Sequence, residues 1–242
     1  MRVLTGPVGK GIQRVAWDLR APAHQLPPNR QRDEIEELFS DPLVGPWVVP
    51  GKYSVTLSQR VGGVVSQIGG PVTFNVVMDP QLSYTAADQA ARWQFQEKLQ
   101  ALRRELSGAL ELANSTAPRI DAMIRAVDMT PAAPQSLHAQ TRALRKRLAD
   151  ILVELRGDRA LGSRSVATPE AISERVNTIS SEETRTLGRP TGTHEQQFQI
   201  ASELFAAQRA LLRTLIETDI PAIERELTRL GAPYTPGRVP RG

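Results

Sequence analysis

The chain has 242 residues, 40% apolar and 23% charged, with a formal charge of +4 and no cysteine. Lacking cysteine, it has no disulfide, no thiolate nucleophile and no cysteine-ligated zinc. No apolar run approaches the roughly 20 residues of a membrane-spanning helix, and the opening MRVLTGPVGKG lacks the charged and apolar regions of a signal peptide.

Residues 1–80 carry the strand signals. Residues 12–20 alternate apolar and polar, placing Ile12, and then Val15, Trp17 and Leu19, near one face, with a bulge between Ile12 and Val15. Residues 52–58 alternate again, with Tyr53, Val55 and Leu57 on one side, and Pro50-Gly51 is turn chemistry that launches them. Residues 71–78 supply Val72, Phe74 and Val76; between these two runs, Val61-Gly62-Gly63-Val64-Val65 has the make-up of a hairpin. A complete immunoglobulin-like sandwich needs about seven strands. Here there are four, or five if Arg2-Val3-Leu4 pairs, so the expectation is a partial antiparallel Ig-like β segment begun part-way. An apolar face or strand edge is then left under-covered, unless the helices or a second chain cover it.

Residues 21–46 form a proline-rich connection with a short helix expected over 32–39. Its Asp33, Glu34, Glu36 and Glu37 are neighbours on one or two turns, which describes a solvated face better than a set of converging ligands.

From residue 84 to 231 the period changes to that of helices. Phe95, Leu99, Leu102, Leu106, Ala109, Ala113, Thr116, Ile120, Met123 and Val127 keep a 4,3 alternation, as helices packed at a shallow angle require; only Thr116 breaks it. A second helix follows Pro134 with Leu137, Thr141, Leu144, Leu148, Ile151 and Leu155, and stops at Gly157. Thr168-Pro169-Glu170 predicts a cap and a short helix to about Ile179. Thr193 is the expected cap of the last long helix, which Gly231 closes, leaving 232–242 as an irregular tail. The fold class is therefore α+β, a partial sandwich followed by a long up-down-up helical bundle. Pro118 and Pro221 fall at comparable heights of the two parallel helices, and both helices are expected to bend there.

Chemistry is sparse. His24, His138 and His194 have no i, i+4 partner, and no nucleophile elbow, phosphate loop or dinucleotide fingerprint occurs. Asp18, Asp41 and Asp79 are carboxyls on the β part, with nothing to mark a pair of them as a glycosidase dyad. No catalytic, cofactor-binding or metal-binding residue is assigned. Trp17, Trp47 and Tyr53 form either an aromatic platform or the filling of a small core, and Trp47 and Tyr53 are the candidate contacts for a carbohydrate or a protein partner. Arg142, Arg145, Lys146 and Arg147 lack interleaved aromatics and suit a solvated bundle face opposite glutamates. Arginine supplies 26 of the 30 basic residues, which lifts the isoelectric point to about 9.8 without a strong field at neutrality; this speaks against a nucleic-acid partner. Asn114-Ser115-Thr116 matches a glycosylation sequon but lies within an expected helix.

Several strings resemble one family. Residues 15–20 (VAWDLR), 45–55 (GPWVVPGKYSV) and 76–80, with 143–159 (ALRKRLADILVELRGDR), 172–176 (ISERV) and 231–238 (GAPYTPGR), are similar to the C-terminal region of bacterial sortilin-like (VPS10/BNR-type) proteins, often labelled glycosyl hydrolases. The resemblance spans nearly the whole chain, and its motifs are structural. It implies a secreted or envelope-associated parent, extracellular or periplasmic, with a large β-propeller before this region that holds any hydrolase activity. It also implies that this chain is a non-catalytic structural or interaction module whose partner is that propeller or another protein. A carbohydrate-active or carbohydrate-binding role is the alternative.

Overall fold

A computed structural model describes residues 1–23, 44–164 and 166–239. The expected helix over 32–39, its acidic group Asp33, Glu34, Glu36 and Glu37, and also His24 and Asp41, lie outside the described residues. The class is α+β, with a two-stranded antiparallel sheet followed by helices. Contacts cluster the described residues into two units: 1–23, 44–98 and 183–190 in one, and 99–164, 166–182 and 191–239 in the other.

In the first unit, β1 (Gly51–Val61) and β2 (Val64–Val76) form one long hairpin. Gly62 and Gly63 have φ of 56° and 83°, the left-handed pair that a two-residue turn needs to match the strand twist. The register sets Tyr53 opposite Phe74, Val55 opposite Val72 and Val61 opposite Val64. Between Val55 and Ser58, β2 runs from Val72 to Gln67 and spends two residues more than β1, a bulged stretch containing Gly69 and Gly70. The two separate runs expected at 52–58 and 71–78 are thus arms of a single ribbon.

Residues 12–20 correct the four- or five-strand expectation. They form no strand; among the described residues their one ladder contact is a bridge from Arg20 to Trp47, with Ala21 N–H donating to the Pro46 carbonyl at 2.8 Å and Val48 N–H to that of Leu19 at 2.8 Å. Alternation gives a chain a potential face, but a strand needs a neighbour for its amides. Leu19 adopts φ 55°, a turn back from extended geometry. Residues 2–4 form no strand either.

In the second unit, α1 (Ala86–Asp128, of which 99–128 lie here), α2 (Gln135–Arg156), the short α3 (Arg159–Gly162), α4 (Ile172–Arg185, to residue 182), α5 (Gly192–Thr214) and α6 (Ile220–Arg229) supply an apolar interior. Leu99, Leu106, Ile120 and Met123 of α1, Leu144, Leu148 and Leu155 of α2, and Phe205, Ile220 and Leu227 of the last helices are all buried. Side-chain contacts fix the directions. Asp121 meets Arg145 at 2.8 Å and Asn114 meets Arg156 at 2.9 Å, so α1 and α2 are antiparallel. Glu105 meets Arg209 and Arg119 meets Glu224, each at 2.6 Å, so α1 runs parallel to α5 and α6.

Several ends differ from expectation. Helix α4 starts later than Thr168-Pro169-Glu170 predicts and runs past Ile179; Glu174 accepts from the Ala171 N–H at 3.0 Å, half of a capping box. The cap of α5 is Thr191 rather than Thr193, its hydroxyl accepting from the His194 N–H. Gly231, at φ 64°, does close α6: its N–H reaches the Thr228 carbonyl and that of Ala232 the Leu227 carbonyl, a Schellman motif. Thr116, the register break, is buried and returns its hydroxyl to the Leu112 carbonyl at 2.6 Å.

The two prolines are accommodated differently. Helix α1 continues through Pro118. Ahead of Pro221 the chain widens into a π turn, Leu215–Asp219, in which the Ile220 N–H reaches back five residues to the Leu215 carbonyl. The Arg119–Glu224 pair confirms that the two prolines lie at comparable heights.

Candidate functional site

The feature that stands apart is the open face of the β ribbon. Along β1 the odd positions Tyr53, Val55, Leu57 and Val61 share one face; across it stand Phe74, Val72 and Val64. Val55, Leu57 and Val72 are 56%, 61% and 64% exposed, far from the burial that an apolar sheet face ordinarily finds. The other face carries Ser54, Thr56, Ser58 and Thr73, as a solvated face should.

One end of the apolar face is closed by aromatics. Trp17 lies 5.5 Å from Tyr53 and 6.0 Å from Phe74, centroid to centroid, and Tyr53 and Phe74 stack at 6.2 Å. The Tyr53 hydroxyl donates to the Val49 carbonyl at 2.7 Å, and the Trp17 indole N–H to that of Arg20 at 2.9 Å. Burial pushes the Tyr53 phenol above its usual value. Trp47 is held elsewhere: the Arg20 guanidinium sits 4.0 Å over its ring, and Arg20 also donates to the Gly45 carbonyl. The structure therefore joins Trp17 and Tyr53, adds Phe74, and gives Trp47 a separate cation–π contact.

A second feature of the same unit went unread in the sequence. Gln89, Arg92 and Gln96, spaced to share one face of α1, are buried. Their side chains donate to the carbonyls of Leu187 at 2.7 Å, Trp47 at 3.3 Å and Glu183 at 3.1 Å. Two of these acceptors lie in the last turn of α4 and just beyond it, where carbonyls lack helical partners and favour positive charge. Arg92 is 0% exposed, and its Nε and Nη1 have no hydrogen-bond partner among the described residues. Burial lowers its pKa, the Glu183 carboxylate opposes that, and Arg20 adds to it; arginine remains charged throughout. The signal available was a polar i, i+3, i+7 set one turn ahead of the Phe95 register.

Charged groups near the N-terminus are paired with each other. Arg2 contacts both Asp18 oxygens, at 2.6 and 3.0 Å, and the Arg20 carbonyl at 2.9 Å. A cleft of about 260 Å³ opens beside them, lined by Arg2, Asp18, Ala21 and Gly45 among others, below the usual span for small-molecule sites. Desolvation, the largest single influence, raises the Asp18 pKa, but the Arg20 amide and the Arg2 guanidinium together outweigh it, so the carboxyl titrates below its ordinary range. The Asp79 carboxylate accepts the Gln81 N–H at 2.9 Å, a turn contact.

In the second unit His138 Nδ1 lies 3.0 Å from Asp128, and His194 Nε2 lies 2.6 Å from Glu182. Among the described residues no three histidines and carboxylates gather as a metal site, and no helix is long and apolar enough to cross a membrane. The basic group of α2 faces aspartates rather than the expected glutamates: Arg145 meets Asp121, Lys146 meets Asp150 at 2.7 Å, and Arg147 meets Asp219 at 2.7 Å. Comparison with protein-family models, with curated proteins and with solved structures finds no match to this chain.

Proposed function

We propose that the chain is a structural and interaction module whose helices form a stable support and whose β ribbon is its contact element. The observation that carries this reading is the exposed apolar face of Val55, Leu57 and Val72. Such a face is a docking surface or an aggregation hazard, and proteins keep it where something covers it. The resemblance supplies the candidate: the β-propeller of a sortilin-like parent, in an extracellular or envelope setting, against which an incomplete Ig-like layer stacks face to face at about 10 Å.

The carbohydrate-binding alternative rests on Trp47 and Tyr53, yet one ring face of Trp47 carries Arg20 and Tyr53 is packed against Trp17 and Phe74. No observation favours it. Calorimetric titration of this chain with the isolated propeller of a bacterial sortilin-like protein tests the docking reading. Binding that is abolished by Val55→Asp with Val72→Asp, while helical circular dichroism is unchanged, is the expected result. Absence of binding, or binding indifferent to the pair of substitutions, rules it out.

A further inference from the structure

The ribbon differs from the rest of the chain in charge. Residues 1–17 and 44–78 contain five basic side chains (Arg2, Lys10, Arg14, Lys52 and Arg60) and no acidic one. The whole chain stands at +4, so everything outside these two stretches is close to neutral. Within the hairpin both charges, Lys52 and Arg60, belong to β1, and β2 has none.

The two edges of the ribbon are also unequal. Among the described residues the sheet has two strands, so each presents an outer edge. That of β2 is interrupted by Pro71, which has no amide donor, and by a one-residue register shift on each side of the Gly69–Leu57 pair. That of β1 runs from Gly51 to Val61 without proline or extra residue. Lys52 and Arg60 lie on the same face of β1, opposite Val55 and Leu57, about 27 Å apart at 3.4 Å per residue.

Three kinds of occupant can be weighed against this edge. A second copy pairing antiparallel through β1, centred on Thr56, sets Lys52 against Arg60, and facing like charges are destabilising. A lipid surface suits the apolar and basic character, but hydrocarbon leaves every open amide and carbonyl of the edge unsatisfied. A protein strand pairs those groups, continues the apolar face, and with carboxylates at its two ends matches Lys52 and Arg60. From these contrasts we infer that the outer edge of β1 is an addition site for an acid-ended β-strand of a protein partner, which extends the ribbon rather than only covering it. The inference rests on the contact role proposed above and adds to it the edge, the direction of growth and the charge of the partner.

The probe is a fluorescein-labelled peptide of about nine residues, valine and threonine alternating between terminal glutamates, long enough to span Lys52 to Arg60. Valines then extend the apolar face, and the glutamates lie on the face of the two cations. Anisotropy titration with the full chain is expected to show saturable binding, at least about tenfold weaker for the same peptide ended with lysines. Lys52→Glu with Arg60→Glu reverses that preference, and amide exchange slows along β1 and not along β2. Equal binding of both peptides, no binding of the acid-ended one, protection of β2 instead, or capture by phosphatidylserine vesicles without peptide binding overturns the inference. Should the peptide fail while the propeller titration succeeds, edge addition is lost and face-on docking stands.

Discussion

The two units of this chain are held together by different means. The interior of the second is mainly leucine, isoleucine and phenylalanine from helices, and its buried polar residues are mostly threonines such as Thr141, whose hydroxyl is returned to its own helix. The interior of the first is Gln89, Arg92, Gln96 and Glu183, with Phe95 the large apolar residue among them, while most of its valines lie in the open. Burial of apolar area is forgiving in detail. A buried charge with hydrogen bonds to carbonyls is specific and costly to disturb. The first unit thus has little hydrophobic stabilisation of its own, and its ribbon leaves an apolar face exposed.

Substitution separates the two kinds of interior. Arg92→Ala removes a buried cation and leaves three carbonyl contacts reduced to two; a loss of about 1–3 kcal/mol is expected in chemical denaturation. Leu148→Ala, in the dry interior of the second unit, opens a cavity and costs about 2–5 kcal/mol by the same measurement. Val55→Thr on the ribbon changes stability by less than about 0.5 kcal/mol, because the side chain gives up little burial that it had. Should Val55→Thr prove as costly as Leu148→Ala, the ribbon is covered in solution and the contrast between the units fails.

The smallest effect is a local one with pH. The Asp18 carboxyl titrates below the ordinary value of 3.8 in the folded chain, so its contribution is complete above that value and is lost as pH falls through the lower folded one. Amide exchange over the first residues is expected to quicken there, ahead of the helices, and Asp18→Asn makes it pH-independent.

Much of the helical part was legible in the sequence because leucine spacing, Pro134, Gly157 and Gly231 are local signals that packing then obeys. The Gly62-Gly63 turn was legible for the same reason. Residues 12–20 were not: a period-two pattern records which side chains share a face, not whether a neighbouring strand exists. The aromatic end was half legible, since Trp17 and Tyr53 meet but Trp47 is drawn off by Arg20, a residue 27 positions before it whose proximity no local pattern encodes. The Gln89, Arg92 and Gln96 face was missed because polar residues are read as solvated unless their carbonyl partners, distant in sequence, are known.

The π turn before Pro221 has a consequence for inheritance. Buried positions along the last helices step by 7, 3, 5, 3 and 4 through Phe205, Leu212, Leu215, Ile220, Ile223 and Leu227, and the step of five spans the widened turn. One surplus residue there keeps both halves of the stripe in phase while relieving the carbonyl that a proline ring would strike in a regular helix. A lineage that loses that residue returns to an ordinary helical step, in which Pro221 costs about 3 kcal/mol, so the deletion favours loss of the proline as well.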